Sequence, residues 1–407
     1  MANPAQNKAK PVNKKVTKAS DKKALNKEED NEYQNYEEKE EIEWILDLPD
    51  TCIGSTEIAE DDDTDYFVYR EDKIEKGKKI KFIPGLYKIF DECAVNAADN
   101  GVRTMNMKGA DKSTYIKFEI YKDRFSVTND GKPIPVMMHK EKKVWVPEMV
   151  FGHLRTSGNY KKGEKRIVGG KNGLGAKLAL IFSTKTVISI VDNKRKKSYM
   201  QVFSNNMREK SEPKIEDTTD SNMVRIDCYP DFPRFDDSTE FSDDMMDYLK
   251  RRVYDIAASS NEGMKVYLND EQVTITNFKD YVKMYEPDAT DDDIIYAKPH
   301  NRWEIAVVKT DHSFQQVSFV NNIHTYKGGK HVSYVMGMIE SHLFGIIKKK
   351  QPNAKKTYIK NYTHIYINCF IDNPSFDSQT KGQMTSNTTK FGSSFKLDKE
   401  FQKKLEK

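Results

Sequence analysis

Glu92, Asn96 and Asn100 stand at i, i+4 and i+8 in a segment whose apolar residues, Leu86, Ile89, Phe90, Cys93 and Ala97, recur at helical spacing. On a helix the three polar side chains line up along one face, beside the stripe that enters the core. Asparagine is a poor helix-interior residue, and a half-buried one needs a partner for its amide. The set suits nucleotide hydrolysis: a carboxylate polarises the attacking water, and an amide oxygen one turn on holds a divalent cation against phosphate oxygens. Taken alone, the segment is accounted for by an ordinary wet helix face.

Two glycine-bearing segments bear on that choice. Val127-Thr128-Asn129-Asp130-Gly131 reads as a strand end turning at Gly131, where an Asn or Asp oxygen can accept from an adenine amine; by itself it is only a turn. Gly169-Gly170-Lys171-Asn172-Gly173-Leu174-Gly175-Ala176-Lys177 precedes the apolar run Leu178 to Phe182. Glycines opening a helix expose successive backbone N–H groups and the positive helix end, as a polyphosphate requires. Ala176 stands where a Walker A loop needs its lysine, no Ser or Thr follows Lys177, and the third glycine of a dinucleotide fingerprint is missing. The expectation is a phosphate cradle of neither common class.

The elements that would position these groups follow from periodicity. Pro84-Gly85 opens the helix that carries Glu92, and a shorter helix over 36–46 stops at Pro49-Asp50. Alternating residues at Ile116 to Ile120, around Val187 to Ile190 and at Val224 to Cys228 mark strands with one buried face. They predict an antiparallel or mixed sheet with helices on one side, an α+β sandwich. A helix from Ser242 follows, then a hairpin through Asn269-Asp270, strands at 303–308, 316–320 and 365–370, and a helix over 333–347. Residues 1–31, with Lys14, Lys15, Lys18, Lys22 and Lys23, hold too little apolar surface to fold and are expected to be a disordered tail. A domain boundary is placed near 262, giving folded domains over 32–262 and 263–407.

Charge and cysteine usage exclude whole classes. Across 407 residues, 67 basic side chains against 63 acidic leave a formal +4, so any nucleic-acid surface must be a local patch. Lys348-Lys349-Lys350, with Lys355, Lys356 and Lys360, is that patch, unless it is simply a solvated helix end. Cys52, Cys93, Cys228 and Cys369 lie far apart, which removes zinc knuckles, iron–sulfur clusters and a disulfide scaffold. No apolar run approaches the roughly 18 to 20 residues of a membrane span, and no signal-peptide core is present. The expectation is an intracellular protein with no membrane partner.

Together, Glu92 to Asn96 with Asn100, the Asn129-Asp130-Gly131 turn, and Gly170 to Lys177 resemble the nucleotide-binding boxes of the GHKL (Bergerat) ATPases. Pro84 to Asn100, Val146 to Tyr160, Gly169 to Thr184 and Pro374 to Lys381 resemble the ATPase region of the eukaryotic-type DNA topoisomerase II family in particular, from about Tyr36 to the C-terminus. The resemblance implies that Glu92 is the general base for attack on the γ-phosphate, Asn96 the Mg2+ ligand, Asn100 a ribose and phosphate contact, and Asn129 the adenine reader. It implies ribose and phosphate contacts from Ser157, Gly158 and Asn159, and a phosphate lid from Gly170, Lys171, Asn172, Gly173, Leu174, Gly175, Ala176 and Lys177. Gln379-Thr380-Lys381 then matches a loop of the second domain whose lysine reaches the γ-phosphate, and Tyr36 a strap residue that reaches the partner subunit's nucleotide.

The pattern is departed from in places. Gly158 replaces a serine, Lys171 an arginine, Leu174 a tyrosine and Pro133 a glycine, and Leu48 and Cys52 alter the usual Arg-Pro-Asp-Thr-Tyr-Ile-Gly. Activity is expected to survive them. Residues 301–320 and 328–332 resemble the family's transducer, a ribosomal-protein-like sheet with helices on one face, whose lysine loop senses double-stranded DNA. The implied function is the ATP-hydrolysing gate of a type II topoisomerase, closing as an ATP-dependent homodimer and nuclear in a eukaryotic cell. With no acidic metal-binding segment and no winged helix in sight, a cleavage core in the same chain or another is expected. The competing readings are a non-hydrolytic nucleotide-gated DNA clamp and a MutL-like or chaperone ATPase.

Overall fold

The computed structural model describes residues 38–59, 66–77, 79–156, 165–170, 173–236, 238–311 and 313–407. The chain divides into two units, Met1–Trp44 and Ile45–Lys407. Of the first, the described residues 38–44 carry the opening of helix α1 (Glu41–Asp47), where Trp44 is exposed. Tyr36 lies outside the described residues.

Among the described residues the second unit holds two large sheets and one two-stranded sheet. The larger has the order β11-β10-β3-β4-β9-β5-β6-β7, with β8 paired to β6. Its strands are β3 (Tyr115–Ile120), β4 (Phe125–Asn129), β5 (Ser183–Asp192), β6 (Lys197–Ser204), β7 (Glu209–Lys210), β8 (Lys214–Asp217), β9 (Met223–Pro230), β10 (Lys265–Leu268) and β11 (Glu271–Gln272). A separate hairpin, β1 (Tyr66–Arg70) with β2 (Lys73–Gly77), precedes them. Strand β3 alternates between buried and half-buried residues, as a sheet covered on one face requires. On that face lie α2 (Pro84–Thr104), α4 (Gly175–Ile181) and α5 (Asp243–Ser259), while the short α3 (Val146–Gly152) packs beside α4. Proline at the first turn of α2 suits a position with no intrahelical N–H partner. Phe90 of α2 meets Phe118 and Phe125 at ring separations of 5.8 and 5.2 Å, which fixes the helix axis over β3 and β4.

The hairpin β10–β11, placed by the sequence beyond a boundary at 262, is instead part of this sheet. β10 runs parallel to β3, with Val266 opposite Ile116, and Asn269 Oδ1 accepts from the Ile120 N–H at 2.8 Å. Val266 is apolar and buried, so pairing with β3 both satisfies its backbone and covers its side chain.

The second sheet has the order β12-β13-β16-β14-β15. It contains β12 (Ile295–His300), β13 (Trp303–Lys309), β14 (Gln315–Val320), β15 (Ile323–His324) and β16 (Thr363–Cys369). Helix α6 (Phe278–Tyr285) leads into it. The long α7 (Lys330–Lys350) and short α8 (Thr357–Asn361) supply the crossover that lets β14 and β16 run parallel. Val332, Val335, Met336 and Ile339 of α7 bury against Trp303, Ile305, Ile365 and Ile367. Among the described residues no helix is long and apolar enough to cross a membrane.

Candidate active site

A cavity of about 570 Å³ opens beside α2 and takes side chains from both sheets' connections. Glu92, Asn96 and Asn100 line it from α2, Asn129 from the end of β4, Gly175, Ala176 and Lys177 from the start of α4, and Gln379 and Lys381 from the chain after β16. Ile134, Val150 and Ile226 give it an apolar wall.

Its floor is charged and buried. Glu92 Oε1 accepts from Lys88 Nζ at 2.8 Å and from Lys381 Nζ at 3.1 Å, and all three side chains are buried. Burial would push the Glu92 carboxyl up, but Lys381 and Lys88 outweigh it and hold it below the usual range. Burial likewise opposes charge on Lys88, yet Glu92 and Asp91 leave its ammonium above the ordinary value. Glu92 is therefore an ionised carboxylate at neutral pH, with its second oxygen, Oε2, turned toward α4. A Cβ added at Gly175 would sit 2.0 Å from that oxygen, so glycine is what lets α4 begin so close to the carboxylate.

Lys88 is held in turn. Asp91 accepts from Lys88 Nζ at 3.1 Å and from Arg252 Nε at 2.7 Å, and Arg252 Nη2 donates to the Asn322 carbonyl at 2.6 Å. Sequence reasoning missed Lys88, Asp91 and Arg252. The i+3 and i+4 spacing of Asp91 and Glu92 from Lys88 was the available signal, and burial gives it force.

The amides divide into spent and unspent. Asn100 Nδ2 and Asn129 Nδ2 both donate to the Asp130 carbonyl, at 3.1 and 2.9 Å, leaving Asn129 Oδ1 without a donor among the described residues. Asp130 itself turns away: its carboxylate accepts from Ser113, Thr114 and the Tyr115 N–H. The Asn96 side chain, half-buried one turn beyond Glu92, makes no hydrogen bond to the described residues, so its oxygen is available to a ligand. Among the described residues no group of three or more His, Cys, Asp or Glu side chains could hold a metal ion. A hard cation here would combine the Asn96 oxygen with phosphate and water oxygens, the ligand set typical of Mg2+.

The glycine segment is arranged differently from the expected row of free N–H groups. Gly169 N and Gly170 N both donate to the buried Asp99 carboxylate, at 2.7 Å each, so neither is offered to a ligand. Lys177 is also turned inward, donating from Nζ to the carbonyls of Thr156 at 2.9 Å and Gly173 at 2.5 Å, and burial pushes its ammonium down to about 8. Leu174 is the residue before α4 and does not line the cavity. Thr380 is also off the wall, its hydroxyl bonded to that of Ser378. Ser157, Gly158, Asn159, Lys171 and Asn172 lie outside the described residues.

Lys381 is delivered from far along the chain, 289 residues from Glu92. The strand-like segment beyond it is pinned to the start of α7 by Met384 N to Gly328 O, 3.1 Å, and Lys330 N to Met384 O, 2.9 Å. The second sheet's position therefore sets where Lys381 sits. Lys348, Lys349 and Lys350 are the exposed last turn of α7, where cations complement the helix dipole, and make no ion pair among the described residues. Lys356, expected in the same patch, is instead drawn to Glu340 and Ser341, and Lys360 lies 4.6 Å over the Phe314 ring.

Comparison with known proteins is consistent across the two sheets. The DNA gyrase B family model matches residues 277–407. A probable DNA topoisomerase 2 of Dictyostelium discoideum is 45% identical over 380 residues, covering 91% of this chain and 24% of the relative. The crystal structure of the ATPase region of Saccharomyces cerevisiae topoisomerase II superposes with a TM-score of 0.84 at 39% identity, covering 91% of this chain and 95% of that one. The ATPase and transducer domains of DNA topoisomerase II from Balamuthia mandrillaris give a TM-score of 0.85 at 36% identity, covering 91% and 94%. The chain thus spans about a quarter of the length of the curated relatives it matches.

Proposed function

The chain belongs to the family of eukaryotic type II DNA topoisomerase ATPase regions, and on that premise we propose that it is an ATP-binding and ATP-hydrolysing gate that controls DNA topology. The observation that carries the reading is the ionised Glu92, buried at the floor of the cavity and paired with a lysine from the distant Gln379–Lys381 segment. Glu92 takes a proton from the water that attacks the γ-phosphorus, and its depressed pKa keeps it in the accepting form. Lys381 brings a cation to the same point, where charge develops on the terminal phosphoryl oxygens. Asn129 Oδ1 accepts from the adenine amine, and Ile134, Val150 and Ile226 give the base an apolar wall. Asn96 would hold Mg2+, which when bound neutralises phosphate charge. Asn100, Gly173, Gly175, Ala176 and Gln379 shape the remaining walls.

Because Lys381 is carried by the second sheet, nucleotide occupancy and the placement of that sheet are linked. We assign residues from about 273 onward to the transducer. Two copies would close on ATP around duplex DNA, with Lys348, Lys349 and Lys350 contacting phosphates. A DNA-cleaving core in this or another chain would complete the enzyme, nuclear in a eukaryotic cell. A non-hydrolytic clamp and a MutL-like or chaperone ATPase are not favoured by the relatives found. ATP turnover measured with and without duplex DNA, beside light scattering with a non-hydrolysable analogue, tests the reading. Turnover and analogue-dependent dimers are expected; no turnover in either condition would leave only the clamp.

A further inference from the structure

The stretch Arg166–Gly170 is gripped from two sides. From α2, the Asp99 carboxylate accepts from the Gly169 and Gly170 N–H groups at 2.7 Å each, one oxygen to each, in a site where Asp99 is fully buried. From the second sheet, the Asn373 N–H donates to the Arg166 carbonyl at 2.9 Å, and Asn321 Nδ2 donates to the Val168 carbonyl at 3.4 Å. Gly169 marks how tight the grip is. A Cβ there would lie 2.8 Å from Val95 of α2, closer than side chains tolerate, and 3.0 Å from Ile323 of β15, where the neighbour would have to give.

Asp99 is not explained by folding alone. A fully buried carboxylate costs several kcal/mol in desolvation unless its partners return it, and here the return comes from the Arg103 guanidinium at 3.8 Å together with the two backbone N–H groups. Those two donors stand at the edge of the cavity, where Gly170 lines the wall. Asn321 is anchored independently of them: its side chain donates to Ile371 O at 2.9 Å and accepts from Ile371 N at 2.8 Å. The second sheet therefore presents a rigid turn to Val168, while α2 presents a rigid acceptor to the next two residues.

We propose that Asp99 is a positioning residue for the nucleotide site, clamping Gly169 and Gly170 so that the phosphate-side wall moves with the Asn321 turn of the second sheet. This is a mechanical link between the sheets separate from Lys381 and from the Arg252 bond to the Asn322 carbonyl. It rests on the nucleotide reading only for its consequence, since the clamp itself is a property of the free protein.

The test begins without nucleotide. Hydrogen exchange of the peptide containing Gly169 and Gly170 should be protected in the wild type. Asp99→Asn replaces an acceptor oxygen by an NH2 that faces an N–H, so it should release that protection by at least about tenfold in exchange rate. Asn321→Asp keeps acceptance from Ile371 N, tolerates the left-handed backbone at this position (φ 52°), and removes the donor to the Val168 carbonyl together with that to the Ile371 carbonyl. Its effect should be smaller, and the double variant should exchange no faster than Asp99→Asn alone, because both act on one segment. Fast exchange in the wild type, or effects that add fully, would overturn the clamp, and the wild-type measurement stands even if Asp99→Asn fails to fold. A second arm measures affinity for a non-hydrolysable ATP analogue, which Asp99→Asn should weaken about tenfold. Unchanged affinity in Asp99→Asn would refute the positioning role. No analogue binding by the wild type would sink the proposed function and leave the exchange result standing.

Discussion

Gly175→Ala separates stability from catalysis in one substitution. The added Cβ would lie 2.0 Å from Glu92 Oε2, while a side-chain carbon rarely comes within 3.0 Å of a neighbour, so the carboxylate or the helix start must give by about 1 Å. The carboxylate is not free to do so cheaply, because its other oxygen is held by Lys88 at 2.8 Å and Lys381 at 3.1 Å. A move of about 1 Å at a reacting group costs roughly 100-fold in rate, or about 2.7 kcal/mol of barrier. Against this, alanine in a helix is favoured over glycine by up to about 1 kcal/mol, and Gly175 is not in the left-handed region that would forbid it. Steady-state ATP hydrolysis should therefore show kcat down about 100-fold, while the melting temperature stays at or near that of the wild type. Turnover within about threefold of wild type would refute the argument, as would a variant that unfolds instead of losing rate.

Two further outcomes follow from the charges around the site. Lys88→Met leaves Asp91 and Glu92 short of a buried cation, which should destabilise the fold by about 3 to 5 kcal/mol in a denaturant melt. Where it remains folded, the Glu92 carboxyl loses one of the two cations that depress it and its pKa rises. Since the ionised form is the active one, the acid limb of the pH–rate profile should move to higher pH; an unmoved limb would argue against Lys88 as the setter of that pKa. Replacing Lys348, Lys349 and Lys350 together by alanine should reduce the slope of log affinity for duplex DNA against log salt by about 2 to 3 and leave DNA-free ATP turnover unchanged. An unaltered slope would remove those lysines from the DNA surface.

What the sequence made legible was mostly local. The α2 stripe from Leu86 to Ala97, opened by Pro84, forms as its periodicity demands, and the same spacing puts Glu92 and Asn96 one turn apart on the cavity wall. The Asn269-Asp270 turn was equally readable: both residues take positive φ, 47° and 71°, as a two-residue hairpin turn prefers. What escaped depends on partners distant in sequence. Nothing near Val266 announces that its strand will lie parallel to β3, because that pairing is decided by an edge formed some 150 residues earlier. Lys88 and Asp99 look like solvated helix charges until the helix is packed; buried, one neutralises two carboxylates and the other binds two glycine N–H groups. Lys177 shows the reverse case, a lysine at a recognised motif that spends its bonds on loop carbonyls.

The central claim is that Glu92 performs the proton abstraction in ATP hydrolysis, and Glu92→Gln tests it most directly. Glutamine keeps the size of the side chain and removes its basicity. Binding of an ATP analogue should persist, with hydrolysis reduced to background in a single-turnover assay on the bound nucleotide. Undiminished single-turnover hydrolysis by Glu92→Gln would contradict the account.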